Sequence, residues 1–163
     1  WTRQLALTPI EPMTNFVNKL LLSVTSALFS IVAVFAVGYW TTAEGPTRMW
    51  ALSPVLILLC SLSTAAMGIM VGYLLRNDGA YGVILGGFAI LAFFGDNFIP
   101  LDSMPSFFRS VAPFTPLYGI TMIARWPLLN ESFEWTWAIN VAFWTILFGI
   151  VSVHRMRKDT ARR

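Results

Sequence analysis

Charged residues are scarce in this chain of 163 residues: they make up 12% of it, whereas hydrophobic residues make up 56%. Soluble proteins average roughly 25% charged and about 45–50% apolar residues, so the composition excludes an ordinary soluble domain. The chain has one cysteine, Cys60, and one histidine, His154. With a single cysteine the chain cannot form an internal disulfide, and with a single histidine as well it has no cysteine or histidine cluster for a metal site.

Ionisable side chains are also missing from the middle of every long apolar run. Ion-coupled carriers use such groups as functional sites, so their absence argues weakly against ion-driven transport. The sequence has no phosphate-binding glycine loop, no nucleophile elbow and no paired carboxylates in a plausible pocket. We therefore expect no catalytic, cofactor-binding or metal-binding residue. An intramembrane enzyme acting on lipid is an alternative that would have to use Asp96.

The formal net charge is +3. A nucleic-acid site would need basic residues in a patch interleaved with aromatics, but here the basic residues flank apolar runs. We expect membrane lipid as a partner and no nucleic acid. The chain opens with Trp1, without an initiator Met or a signal peptide before the first run, so we expect a piece of a longer protein.

Four runs without charge have about the length that crosses hydrocarbon as a helix. We name them span A (20–40), span B (50–75), span C (80–95) and span D (135–153). Span C, with roughly 17 residues, lies at the lower end of what can cross. The sequence predicts an all-α integral membrane protein with four transmembrane helices.

An even number of crossings puts both ends on one side of the membrane, and the basic residues indicate which side. Three of them, Arg48, Arg109 and Arg125, lie on the side opposite the termini. The other eight lie on the side of the termini: Arg3, Lys19, Arg76, Arg155, Arg157, Lys158, Arg162 and Arg163. Since basic residues concentrate on the cytoplasmic side, we predict a cytoplasmic segment at 1–19 and a basic cytoplasmic tail at 154–163 of a cell-membrane protein, as in a bacterial inner membrane.

The connection between spans C and D contains a long proline-rich stretch, residues 98–128, which we call the hairpin segment. Its prolines prevent it from crossing as one helix, but SFFRSVA after Pro105 and LYGITMIARW after Pro116 each predict a short helix. Backbone in hydrocarbon needs its hydrogen bonds satisfied. The segment is therefore either a re-entrant hairpin packed in protein, which its apolar face favours, or an interfacial loop lying on lipid.

Small residues four positions apart let neighbouring helices approach closely. Such glycine pairs occur in spans B and C, at Gly68, Gly72, Gly82 and Gly86. They indicate either generic helix packing, which is common in membranes, or a dedicated dimer contact.

Polar groups in and near the spans also have two interpretations. Hydroxyls in span A, at Ser23, Ser26 and Ser30, could line a substrate path or bond back to carbonyls of their own helix. Asp96 could pair with Arg109 or Arg125, or could be a solvated carboxylate at the interface.

The hairpin segment resembles the stretch before the last helix in permeases of type-2 ABC transporters. That family pattern is a Pro, a stretch of small residues, a second Pro, an aromatic-rich turn, and then an Asn-Pro or similar pair followed by an apolar residue and Tyr. The matching residues are Pro100, Pro105, Phe107, Pro116, Leu117 and Tyr118. Thr115 stands where the family commonly has Asn.

The start of the chain, RQLALTPIEPMTNFVNKLLL, resembles the cytoplasmic segment of the same family that leads into its third membrane helix. In the family this segment includes a coupling helix seated on the ATPase subunit. The resemblance thus implies an ATPase-coupling segment formed by Arg3, Leu5, Leu7, Thr8, Pro9 and Ile10. Without the resemblance, an ordinary juxtamembrane linker would be the simpler interpretation.

Together these likenesses cover nearly the whole chain as the C-terminal two-thirds of a permease, with the last four of the usual six helices. They imply the membrane-spanning subunit of an ATP-driven exporter for an amphipathic drug, lipid or glycan. They also imply a partner ATPase, which would hold ATP and magnesium, and a second permease copy or homologue. The alternative is a small four-helix membrane scaffold that transports nothing.

Overall fold

A computed structural model gives the structure of the protein and describes residues 12–41, 44–74, 80–129 and 132–160. Within these ranges all regular structure is helical. The α-helices are α1 (Pro12–Trp40), α2 (Thr47–Leu74), α3 (Ala80–Phe94), α4 (Ser106–Val111), α5 (Pro116–Arg125) and α6 (Trp135–Thr160). Short 3-10 helices lie at Leu101–Ser103, Ala112–Phe114 and Trp126–Leu128. The predicted all-α fold is confirmed.

Three helices of the described chain are long and apolar enough to cross a membrane. They are the segments Met13–Trp40, Thr47–Leu74 and Trp135–Met156, in α1, α2 and α6, and they correspond to spans A, B and D. At about 1.5 Å per residue, each exceeds the roughly 30 Å of bilayer hydrocarbon. Both end helices run further than the spans, since α1 includes residues 12–19 and α6 continues to Thr160.

Span C has become the shorter helix α3, which has 15 residues and is apolar between Ile84 and Phe94. At about 1.5 Å per residue this helix is roughly 22 Å long, which is less than the thickness of bilayer hydrocarbon. A complete crossing by α3 therefore stays a prediction.

The hairpin segment contains the two predicted short helices, α4 and α5, separated by the 3-10 turn Ala112–Phe114. Proline sets these boundaries, because it lacks an N–H and restricts the residue before it. Pro105 therefore immediately precedes α4, and Pro116 is the first residue of α5, where its missing N–H costs nothing. The helical hairpin before the last span is confirmed.

Three apolar clusters hold the helices together around α2. Phe16, Ile69 and Met156 join the start of α1 to α2 and to the end of α6. A second cluster joins α2, α5 and α6, and consists of Cys60, Ile123 and Trp137. A third, Ala66, Met67 and Phe148, joins α2 to α6 and receives Phe88 and Leu91 of α3. The start of α1 and the end of α6 therefore lie at the same end of the bundle.

We predict that Phe16→Ala lowers the free energy of unfolding in detergent by about 3 kcal/mol, because it leaves a cavity between three helices. Phe29→Ala is the matched control, since Phe29 also lies on α1 but is 74% exposed, against 8% for Phe16. Thermal unfolding followed by tryptophan fluorescence measures both variants. Equal losses would contradict the packing described at Phe16.

Candidate functional site

A groove of about 470 Å³ lies between α1 and α2. It is lined by the following mostly small or hydroxyl-bearing residues: Leu22, Ser23, Ser26, Ala27, Ser61, Thr64, Ala65 and Gly68. Two of the three predicted pathway residues, Ser23 and Ser26, therefore line one groove with α2, while Ser30 does not line it. The groove stays open because most of the side chains that line it on both helices are short.

The hydroxyls of Thr25, Ser30, Ser61 and Thr64 donate to carbonyls of their own helix. Ser30 donates to the Ser26 carbonyl at 3.1 Å, Ser61 to Leu58 at 2.6 Å and Thr64 to Ser61 at 3.0 Å. This is the back-bonding that the sequence left open, and it removes the cost of exposing a hydroxyl donor to hydrocarbon. Ser61 and Thr64 still present oxygen lone pairs at the groove, so its surface is apolar with scattered acceptors.

The turn between α4 and α5 is held by side chains of α6. Asn140 donates through Nδ2 to the carbonyls of Pro113, at 2.7 Å, and Thr115, at 3.2 Å. One helical turn later, Trp144 donates through Nε1 to the Phe114 carbonyl at 3.2 Å. Three successive carbonyls of the turn thus accept hydrogen bonds from side chains on one face of α6.

Gly119 lets α5 approach α6 closely. A Cβ built on Gly119 would lie 2.7 Å from Oδ1 of Asn140 and 2.9 Å from the carbonyl oxygen of Trp137. Both distances are shorter than a carbon and an oxygen tolerate without a shift. Glycine at this position therefore lets the Asn140 amide reach the turn.

The glycines chosen from their spacing behave differently. These glycines are Gly68, Gly72, Gly82 and Gly86. A Cβ added at any of the four would meet no heavy atom of the described residues within 4 Å. Gly68 lines the groove, and the others lie on helix surfaces. Helices within this chain do not approach closely at these four positions, so contact with another subunit there stays a prediction.

At the other end of α5, side chains of α2 donate to backbone carbonyls. Arg48 donates to the carbonyls of Trp126 at 3.1 Å and Leu129 at 3.2 Å, and its guanidinium lies 4.6 Å from the Trp126 ring centroid. Ser53 donates to the Ala124 carbonyl at 3.2 Å. Because helix C-termini leave carbonyls without partners, these donors cap α5 and fix it to α2.

Asp96 is paired, so the interpretation of a solvated carboxylate is wrong. Its Oδ2 accepts from Nη1 of Arg125, and its Oδ1 accepts from the Leu101 N–H at 2.7 Å. The side chain of Asp96 is 12% exposed. The partner that the sequence offered as an alternative, Arg109, is exposed on α4. The hairpin segment is thereby joined to the end of α3.

The six hairpin residues of the family pattern divide between two environments. Phe107 is 66% exposed on α4, which has no buried residue, whereas Pro116 is buried at the start of α5. Pro100 and Pro105 are exposed and Leu117 is half-buried beside Gly95. The α4 half of the hairpin segment therefore lies at the surface, and the α5 half is packed in protein.

Tyr118, the last residue of the pattern, packs in the cluster of Cys60, Ile123 and Trp137. Burial raises the pKa of its phenol above the ordinary value, and the negative charges of Glu134 and Asp96 raise it further, against a smaller opposing effect of a hydrogen bond with Trp137. The phenol therefore stays protonated at neutral pH.

The predicted coupling residues, Arg3 to Ile10, lie outside the described residues. Within the described ranges, no three His, Cys, Asp or Glu side chains come together in a way that could hold a metal ion.

Comparison with known proteins identifies the family. The profile of the ABC-2 type transporter family matches residues 2–129. The chain belongs to the ABC-2 type transporter family. The matched region runs from the predicted coupling segment to the end of the hairpin segment and so includes the groove, α5 and the Asp96–Arg125 pair.

One curated relative is the Bacillus subtilis (strain 168) protein named "Putative transport permease YvfS". It is 24% identical over 164 residues, and the alignment covers 99% of this chain and 66% of the relative. The chain thus spans about two-thirds of the length of this relative. No solved structure matches the chain significantly.

We predict that Gly119→Ala destabilises the protein, because the added methyl must displace either Asn140 or the α6 backbone. Overpacking of this kind costs about 1–3 kcal/mol. Gly149→Ala on α6 is the matched control, since an added Cβ there meets no heavy atom within 4 Å. Thermal unfolding in detergent measures both variants. Equal stability of the two variants would contradict the close approach of α5 to α6.

We also predict that Asn140→Leu loosens the α4–α5 turn, since two carbonyls lose their donor at a cost of about 1–3 kcal/mol. Amide hydrogen exchange should accelerate by about tenfold or more across the hairpin segment, the factor that 1.4 kcal/mol gives. Asn18→Leu on the exposed start of α1 is the control and should leave this exchange unchanged. Uniform acceleration over all helices would show instead that Asn140 supports the whole bundle.

Proposed function

We propose that this chain is part of the membrane-spanning permease subunit of an ATP-driven ABC exporter. The observation that carries the proposal is the family match over residues 2–129, which covers both the coupling segment and the hairpin segment. The name of the Bacillus subtilis relative contains the words "transport permease", which agrees with this proposal. ATP hydrolysis would be performed by a separate ATPase subunit, because this sequence has no phosphate-binding loop.

The groove between α1 and α2 is the part of this chain that we assign to the translocation pathway. Its lining combines small apolar side chains with hydroxyl oxygens, which suits an amphipathic drug, lipid or glycan. Only 6% of the most apolar window of α1 is buried within the chain. We assign the rest of that surface to lipid and to a second permease copy or homologue, which would close the groove into a path.

The proposed coupling segment would act through the cluster at the start of α1. Phe16 follows that segment and contacts α2 and α6 through Ile69 and Met156. Lys19 adds a hydrogen bond of 3.2 Å to the Tyr73 hydroxyl of α2. A push on the segment would therefore reach three helices at once, rather than α1 alone.

The same arrangement supports the predicted orientation. Phe16 and Met156 meet at one end of the bundle, whereas Arg48 meets the end of the hairpin segment at the other. The basic residues at the end of α6 therefore lie at the end where the coupling segment enters. We propose that this end faces the cytoplasm and the ATPase, as the distribution of basic residues predicts.

Co-purification tests this function. Expressed as its full native reading frame and isolated in detergent, the protein should bring down a stoichiometric ATPase. Combined Leu7→Asp and Pro9→Ala should reduce ATP hydrolysis by the complex about tenfold, the effect of about 1.4 kcal/mol of lost coupling. Ile146→Ala is the control, since Ile146 is 61% exposed on α6, outside the coupling segment and the α1 surface.

The expected result includes ATP-dependent movement of an amphipathic dye, such as Hoechst 33342, across vesicles containing the complex. A pure membrane protein without an ATPase would overturn the exporter function and favour the four-helix scaffold. An ATPase that is bound equally well and works equally fast in the Leu7 and Pro9 variant would move the coupling contact elsewhere.

A further inference from the structure

Asp96 occupies a backbone conformation that glycine normally takes. Helix α3 ends with hydrogen bonds from the Asn97 N–H to the Ala92 carbonyl, at 3.2 Å, and from the Asp96 N–H to the Phe93 carbonyl, at 3.3 Å. This is a Schellman ending, with Asp96 in its left-handed position at φ 59°. Among the described residues, Asp96 is the one non-glycine residue with positive φ. Such a placement is strained and directs attention to the side chain.

The carboxylate of Asp96 makes two contacts that glycine could not make. Oδ1 accepts from the Leu101 N–H and orders the chain leading to α4, while Oδ2 pairs with Arg125 near the end of α5. The guanidinium of Arg125 is 43% exposed, so the pair is partly shielded from solvent. Charge-assisted bonds of this kind are stronger than neutral ones.

The ion pair is one of three contacts between the end of α3 and a single face of α5. The face consists of Leu117, Thr121 and Arg125, which are spaced four residues apart. The Thr121 hydroxyl donates to the Leu117 carbonyl at 3.0 Å and its oxygen lies 3.4 Å from Oδ1 of Asn97, while a Cβ built on Gly95 would lie 3.0 Å from Cβ of Leu117. The residues after α3 thus follow α5 along two helical turns.

Other positions of α5 are fixed to other helices. Gly119 packs against Asn140 of α6, and the Ala124 carbonyl accepts from Ser53 of α2. The short helix α3 therefore connects through α5 to helices long enough to span the membrane.

We propose that Asp96 is a positioning residue whose carboxylate joins α3 to α5, so that the end of α3 and the hairpin segment move as one body during transport. The proposed movement of α3 and the hairpin segment as one body rests on the proposed function. The joining of α3 to α5 by Asp96 does not depend on that function. The two parts are tested separately.

Thermal unfolding in detergent tests the joining without any ATPase. Asp96→Gly keeps the left-handed turn and removes the carboxylate, and Asp96→Asn keeps the shape and removes the charge. Asp96→Asn should lower the unfolding temperature by about 2–6 °C, as should Arg125→Gln. Asp96→Gly should lose less than Asp96→Asn, because glycine relieves the strain of the left-handed conformation. The double variant Asp96→Asn with Arg125→Gln should lose no more than the larger single loss. An Asp96→Asn protein as stable as the original, or additive losses, would overturn the proposal.

A disulfide between Gly95→Cys and Leu117→Cys tests the movement, in a Cys60→Ala background that removes the native thiol. The Cβ separation of 3.0 Å is below the roughly 3.5–4.5 Å of disulfides, so the two backbones must part by about half an ångström, and the Asn97 amide, 2.7 Å from a new Cβ at position 95, must turn aside. In the complex with its ATPase, oxidation should form the cross-link and leave ATP hydrolysis within about twofold. Failure to form the cross-link, or a tenfold loss that dithiothreitol reverses, would overturn the one-body movement.

A rescue experiment distinguishes a positioning role of the Asp96 carboxylate from a general effect of Asp96 on the stability of the protein. Asp96→Asn should lower ATP hydrolysis by the complex at least threefold, and the oxidised disulfide in the same chain should restore it to within about twofold. The single-cysteine variants are the controls and should restore nothing. Lack of rescue would overturn the proposal. If the original complex has no ATPase, the proposed function fails instead, and the unfolding measurements still decide whether Asp96 joins α3 to α5.

Discussion

The structure depends on satisfying backbone carbonyls that the prolines of the hairpin segment leave without partners. A chain broken this often cannot complete its own hydrogen bonds, and apolar surroundings offer no water to replace them. Side chains of the neighbouring helices supply the donors, from Asn140 and Trp144 at the start of α5 and from Arg48 and Ser53 at its end. Gly119 is required because the Asn140 amide reaches the turn only where α5 and α6 lie close together. The position of α5 is therefore set by these polar contacts together with the apolar cluster of Cys60, Ile123 and Trp137.

The attachment of α1 contrasts with that of α5. Helix α1 is fixed to α2 near both ends, by Lys19 on Tyr73 and by Trp50, whose ring lies 5.8 Å from Phe35 and meets Gly38. The groove lies between these two attachments, where serine and alanine face glycine and alanine. Dispersion contacts between small side chains are weak, and lipid gives no hydrophobic force that would press the helices together. The α1–α2 contact therefore combines attachments near its two ends with a loosely packed middle, while α5 adds polar contacts to the apolar clusters that join α2 directly to α6.

Sequence reasoning found the features that depend on neighbouring residues. Hydropathy located α1, α2 and α6, and the positions of Pro105 and Pro116 located α4 and α5. It missed the features that depend on distant residues, which include the contacts of Asn140 and the close approach at Gly119. Glycines four residues apart drew attention because the spacing is a local pattern, yet close approach depends on which helix lies opposite. A lone Asn followed four residues later by Trp, in an otherwise apolar span, was the available signal for donors on one face.

The two interpretations of the hairpin segment prove to describe its two halves. Helix α4 has no buried residue and exposes Phe107, as expected of a segment lying on lipid, whereas α5 buries Pro116, Gly119, Thr121 and Ile123. The division follows from the number of donors available, because α5 lies within reach of three helices and α4 does not. Asp96 stands beside the boundary, and its carboxylate accepts from the chain leading to α4 and from Arg125 of α5. A carboxylate that is only 12% exposed in such a place needs a cation to balance the loss of water. Its position therefore fixes how far the surface half of the hairpin segment can move away from the packed half.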